Sequence, residues 1–348
     1  LDFDLNPGVT LQFQLWKIIF VLSGSLARHP IMKILVTGSR GHLGEALMRT
    51  LQNGRHDAIG VDIIASPFTH KEGSIVDRRF VADCMRGVDA VIHTATLHKP
   101  HVVTHTRQDF IDTNIIGTLN LLEEAARQKI RAFVFTSTTS VFGHALTPPP
   151  DSPAVWVTED LRPVPKNIYG ATKTAAEVLC EWFYREQGLA TIVLRTSRFF
   201  PGDDDETVKR HALDSGNMKI NEYLYRRVDI EDAVSAHLRA MERVPEIGFG
   251  RYIITATTPF IAADLIELRT DAAKVVRRYH PNYETEYKKF GWLMFSTIER
   301  VYVNELARRE LGWRPQYDFE SMLSKIKNGH DYRSPLTRLI GAKGYHSH

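Results

Sequence analysis

The stretch KILVTGSRGHLGEALMRTLQNG, residues 33–54, constrains this chain more than any other. A β-rich apolar run ends on Gly38, glycines follow at Gly41 and Gly44, and an apolar helical pattern opens behind them. A strand apolar at every position has no face to offer water, so it belongs in a sheet covered on both sides. Similar runs recur at DAIGVDI (57–63), DAVIHTAT (89–96) and AFVFTST (132–138). Helical segments separate them, notably NIIGTLNLLEEAARQK (114–129), with Leu119, Leu122 and Ala126 on one side. This alternation predicts a parallel sheet, and right-handed crossovers make it a doubly wound α/β (Rossmann) fold.

In that setting the glycines acquire a chemical meaning. They permit a tight strand-to-helix turn and let backbone amides approach a pyrophosphate at the helix N-terminus. Asp62 closes the second strand eighteen residues after Gly44. A carboxylate there accepts hydrogen bonds from an adenosine ribose. It would also repel a 2′-phosphate, which favours NAD; Arg40, inside the turn, keeps NADP as the alternative.

A second pattern is NIYGATK (167–173), with Tyr169 four residues ahead of Lys173 at the start of a helical stretch. Side chains at i and i+4 share a helix face. An ammonium beside a phenol favours the phenolate and lowers a pKa normally near 10. The expectation is an acid/base tyrosine usable near neutrality.

Bulk properties narrow the class. A net charge of +3 over 348 residues gives no electrostatic footprint for nucleic acid. The two cysteines, Cys84 and Cys180, fall in helical patterns and form no disulfide framework, so a reducing cytoplasm fits. In residues 9–27 the apolar core from Ile18 to Leu22 is short for a membrane span, and Gln12, Gln14 and Lys17 interrupt the longer stretch. Met32 opens MKILVTG, a natural start. Residues 1–31 are therefore read as an extension outside the fold, with a targeting segment as the alternative and no membrane attachment expected.

Taken in order, the glycine turn, HTAT, the strand end TSTTSVFG and Tyr169-x-x-x-Lys173 resemble the extended short-chain dehydrogenase/reductases. The likeness is strongest to their NAD-dependent epimerase/dehydratase branch, which includes the UDP-glucose 4-epimerases. DTNIIGTLNLLEEA, VTEDLRPVPKNIYGATK, IVLRTSRFF, RRVDIEDAVSAH and LARRELGWRPQYDF extend it over about residues 32–325. The resemblance implies a mainly NAD-binding part at 32–198, a smaller, interleaved substrate-binding part at 199–330 and a tail at 331–348. It implies a catalytic Thr138, Tyr169 and Lys173, with Ser137 as fallback for the hydroxyl. Cofactor contacts are implied at Gly38, Arg40, Gly41, His42, Leu43, Gly44, Asp62, Ile63, Ile75, Thr94, Ala95, Thr96, Asn114 and Lys173. A homodimer through helices 114–129 and 171–187 is also implied. Tyr169 would move a proton at a substrate hydroxyl as hydride passes between its carbon and nicotinamide. Substrates of the family are sugars or nucleotide sugars; a non-catalytic NAD(P)-sensing module is the competing class.

Four departures bear on the substrate. Ser74 stands where the family often has Asp, with Asp77 as a substitute. Arg198 replaces a family Asn that often contacts a nucleotide sugar; its guanidinium suits an anionic group such as a sugar-acid carboxylate, or an ion pair with the acidic run 203–206. The segment from Arg198 to Arg226 is short, which points toward a small non-nucleotide substrate such as a sugar acid. His98, His101 and His105 have metal-like spacing, but pocket lining is favoured, with His98 contacting substrate and no metal expected. The proline-rich segment 144–156 is read as bordering the ligand crevice.

Overall fold

The computed structural model describes residues 31–200 and 213–343. The expectation for residues 1–31 and the acidic run at 203–206 lie outside the described residues, apart from Ile31. Strand β1 (Lys33–Thr37) feeds helix α1 (His42–Gln52), which buries Leu43, Ala46, Leu47 and Leu51 on one face. Next come β2 (Asp57–Asp62), β3 (Lys71–Glu72), α2 (Arg78–Cys84) and β4 (Ala90–His93). They are followed by α3 (Gly117–Gln128), β5 (Ala132–Thr138), β6 (Val155–Val157), α4 (Ile168–Gln187) and β7 (Thr191–Thr196). The chain then forms α5 (Ser215–Glu222), α6 (Ile230–Ile247), β8 (Phe249–Ile254), β9 (Arg300–Tyr302) and α7 (Pro335–Ile340), with further helices between.

Seven strands form one sheet in the order β3-β2-β1-β4-β5-β7-β8, every pair parallel. Ile34, Val36, Ile92, Val134, Ile192 and Leu194 face α1 and α6, while Leu35, Val91, Phe133, Phe135 and Val193 face α3 and α4. Burying each such side chain contributes about 1.5–3 kcal/mol, which is why the strands carry no polar face. Strand order reverses between β1 and β4, and in such sheets the crevice at the carboxyl ends beside that reversal is the ligand site. A separate core of Leu224, Leu268, Val275, Tyr287, Phe319 and Met322 supports the later part of the chain. The parallel pair β6–β9 registers Val155 with Arg300 and Val157 with Tyr302, joining the segment after β5 to that part. No helix among the described residues is long and apolar enough to cross a membrane.

Candidate active site

The glycine turn is shaped by backbone contact. Gly38 has φ +71, and a Cβ there would lie 2.8 Å from the Ala95 backbone; one on Gly44 would lie 1.9 Å from the Gly38 carbonyl oxygen. Only glycine fits at either position. The amides of Gly38 and Ser39 both donate to the Val61 carbonyl. Asp62 accepts from the Arg40 amide at 3.0 Å and from the Ile64 amide at 3.1 Å, so its carboxylate is held at the rim of the turn. Arg40 and Ile63 are exposed beside it, while His42 and Leu43 are buried. Ile75 is buried against Gly117. The turn is a close backbone cradle at a helix N-terminus with a carboxylate at its far edge, and these residues fit a dinucleotide.

Thr94 and Ala95 belong to a turn rather than to β4. Their amides donate to the Thr37 hydroxyl, which ends the strand at His93. Asn114 is fully engaged: its oxygen accepts from Thr96 Oγ1 and the Leu97 amide, and its nitrogen donates to the Leu97 carbonyl and Thr172 Oγ1. It braces residues 96–97 against α4. Asp77 accepts from the amides of Arg79 and Phe80 as the cap of α2, and Ser74 Oγ accepts from the Val76 amide.

The segment preceding α4 places the Tyr169–Lys173 pair. Asn167 caps the helix by accepting from the Gly170 amide at 2.9 Å, and Tyr169 and Lys173 follow on the inward face, both buried. Thr138, the last residue of β5, sets its hydroxyl near enough to the Tyr169 phenol to lower its pKa, and accepts from the Ser140 amide. Ser137, one residue earlier, points to the opposite face and donates to Glu177 at 2.5 Å. The hydroxyl on Tyr169 is therefore that of Thr138.

The electrostatics differ from the expectation raised by the Tyr–Lys spacing. Burial pushes the Tyr169 phenol up to about 12, with the Thr138 hydrogen bond pulling partly the other way. Burial likewise pushes Lys173 down to about 7, with Cys180 and Glu177 opposing it. The Lys173 ammonium lies 3.9 Å from the centre of the Phe135 ring. Loss of water outweighs charge attraction here, because the pair sits between packed helix and sheet rather than on a solvated face.

One turn further along α4, Glu177 receives Arg195 through Nε (3.2 Å) and Nη2 (2.8 Å), and Arg195 Nη1 donates to the Glu159 carbonyl. The Tyr169, Lys173, Glu177 spacing of four was the available signal for this carboxylate. Nothing in the sequence pairs it with Arg195.

His98 stacks on Phe200 at 5.6 Å, and Phe200 meets His42 edge-on at 5.2 Å, so His98 stands at the rim facing the glycine turn. His101 and His105 continue this row of rings, and no metal-binding group of three occurs among the described residues. Arg198 follows β7 and pairs through its backbone with the Arg226–Val228 segment. There, Arg226 and Arg227 both bind the buried carboxylate of Glu222.

Residues 34–254 match the NAD dependent epimerase/dehydratase family. UDP-glucose 4-epimerase of Rhizobium meliloti (strain 1021) is 24% identical over 344 residues, spanning 86% of this chain and 98% of that protein. A short-chain dehydrogenase/reductase superfamily protein from Agrobacterium tumefaciens, solved with bound NAD, has TM-score 0.59 at 25% identity, over 85% of this chain and 96% of its own. A mutated uronate dehydrogenase has TM-score 0.59 at 20% identity, over 88% and 89%.

Proposed function

The chain belongs to the NAD-dependent epimerase/dehydratase family, and from that premise we propose that it is an NAD-dependent oxidoreductase or epimerase of a sugar or nucleotide sugar. The observation that carries this reading is the Thr138 hydroxyl beside a buried Tyr169 and Lys173, at the sheet end that also holds the glycine turn. When bound, NAD would supply the hydride acceptor and donor. Gly38, Gly41 and Gly44 would hold its pyrophosphate and Asp62 its adenosine ribose, the carboxylate favouring NAD over NADP.

The chain's own residues would do the rest. Thr138 aims the substrate oxygen at Tyr169, and Tyr169 moves the proton at that oxygen. A phenol near 12 is protonated at neutrality, so Tyr169 is ready to donate to a carbonyl. To accept from a hydroxyl it needs the positive charge of Lys173, which titrates near 7. His98 lines the rim. Exposed Val178 and Trp182 on α4, with Ile116 just before α3, support a homodimer through these helices.

The test is to incubate the purified protein with NAD and a panel of UDP-sugars, free sugars and uronic acids. Net NADH marks a dehydrogenase, interconversion without net NADH marks an epimerase, and neither with any member of the panel refutes the reading. A second reading, a dehydrogenase of a sugar acid, is favoured by Arg198 beside Arg226 and Arg227 at the end of β7. It expects Arg198→Ala to raise the KM for a uronic acid about tenfold or more; an unchanged KM removes it.

A further inference from the structure

The end of the described chain returns to the glycine turn. In α7 the Leu336 amide donates to Glu231 Oε1 at 2.9 Å and Thr337 Oγ1 to Asp229 Oδ2 at 3.2 Å, while Leu336 and Ile340 pack on the core beneath α1 and α6. Just past the helix, His42 Nε2 hydrogen-bonds the Gly341 carbonyl at 3.0 Å. Two residues later the Lys343 ammonium bonds the carboxylate of Glu45.

Glu45 lies in the first turn of α1, the helix whose N-terminus closes the glycine cradle. A carboxylate there suits the helix dipole but repels a phosphate bound at the same end. Glu45 is nearly enclosed, with 9% side-chain exposure, so water screens its charge poorly. Two cations answer it. Arg49 bonds Oε1 at 2.8 Å from one turn below, and Lys343 bonds Oε2. Burial works against the charged form of Glu45, yet these two cations hold its carboxyl below the usual range. Arg49 belongs to α1 itself; Lys343 is brought from nearly three hundred residues away. His42 is held in the same way, because burial lowers its pKa to about 4 and its neutral ring donates from Nε2 to Gly341.

We infer that residues 341–343 are part of the dinucleotide site: Lys343, together with Arg49, offsets the charge of Glu45 at the pyrophosphate end of α1, and the Gly341 carbonyl fixes the ring of His42 inside the glycine turn. Lys343 is thus a positioning residue for an anionic cofactor rather than one that touches the reacting atoms. The inference rests on the dinucleotide reading of the turn.

Isothermal titration of NAD into the full-length chain tests it. Lys343→Met raises the dissociation constant about fivefold at about 0.05 M salt and much less at about 0.5 M. Glu45→Gln combined with Lys343→Met returns affinity to that of Glu45→Gln alone, with the thermal midpoint of the cofactor-free proteins little changed. A purely structural tail would shift that midpoint and would show neither rescue nor salt dependence. Equal affinity of wild type and Lys343→Met, or no rescue by Glu45→Gln, overturns the inference. A wild type that binds no NAD overturns the dinucleotide reading beneath it.

Discussion

Two tiers of α4 face the sheet one turn apart, and they treat charge in opposite ways. The lower tier is saturated: Glu177 binds Arg195, Ser137 donates to it, and Arg251 lies 3.7 Å away. The upper tier has no ion pair among the described residues. Lys173 rests on the Phe135 ring, and Tyr169 meets only a threonine hydroxyl. Folding explains the lower tier, because a buried carboxylate must be paired. It does not explain the upper one, where burial works against the charge of Lys173 and a methionine would pack as well. A buried lysine left without a carboxylate partner, its pKa brought near neutrality beside a crevice, is the kind of perturbed group that functional sites use.

The largest expected effect is on chemistry in the upper tier. Tyr169→Phe lowers kcat about 10³-fold with the NAD dissociation constant unchanged; turnover equal to wild type would erase the distinction between the tiers. Next, Glu177→Ala loses about 3–5 kcal/mol in denaturant unfolding, because Arg195 is left buried and uncompensated. Lys173→Met is the mirror experiment: activity is lost while stability at neutral pH holds or rises. Its pH dependence has a definite sign. From about 7 to the ordinary lysine value of 10.5 the unfolded chain holds a proton that the native chain lacks. Wild-type stability therefore climbs with pH across that window relative to Lys173→Met, by on the order of a few kcal/mol. The smallest contrast lies between neighbours on β5. Thr138→Val slows turnover about 10²-fold, whereas Ser137→Ala costs about 1 kcal/mol of stability and leaves turnover within about threefold. Equal kinetic losses from both would mean that the two hydroxyls are not divided between the tiers.

Much of the fold could be read from residue order alone, because β1, β2, β4 and β5 each hold an uninterrupted apolar run that only a sheet covered on both faces accommodates. Strand ends were less legible. DAVIHTAT stops pairing at His93 because the Thr37 hydroxyl captures the next amides, a contact between residues 57 and 58 positions apart. The three-residue strands β6 and β9 carry too little periodicity to stand out. Within the site, spacing placed Tyr169 and Lys173 on one helix face, and the family resemblance of TSTTSVFG implied Thr138. It could not show how completely water is excluded around them, so the sign of the Tyr169 shift came out reversed. The stretch 331–348 reads as a tail, yet Ser334 and Pro335 are a helix-start signature, and α7 forms there. The position of residues 341–343 is set by an encounter with Glu45 and His42 that local pattern does not encode.

The pairing of Val155–Val157 with Arg300–Tyr302 has a practical corollary for anyone splicing this scaffold with a relative. A single crossover point between residues 158 and 299 would graft one half of a ladder onto a stranger's other half. Specificity transplants will succeed only as two-segment exchanges that carry both strands from the same parent.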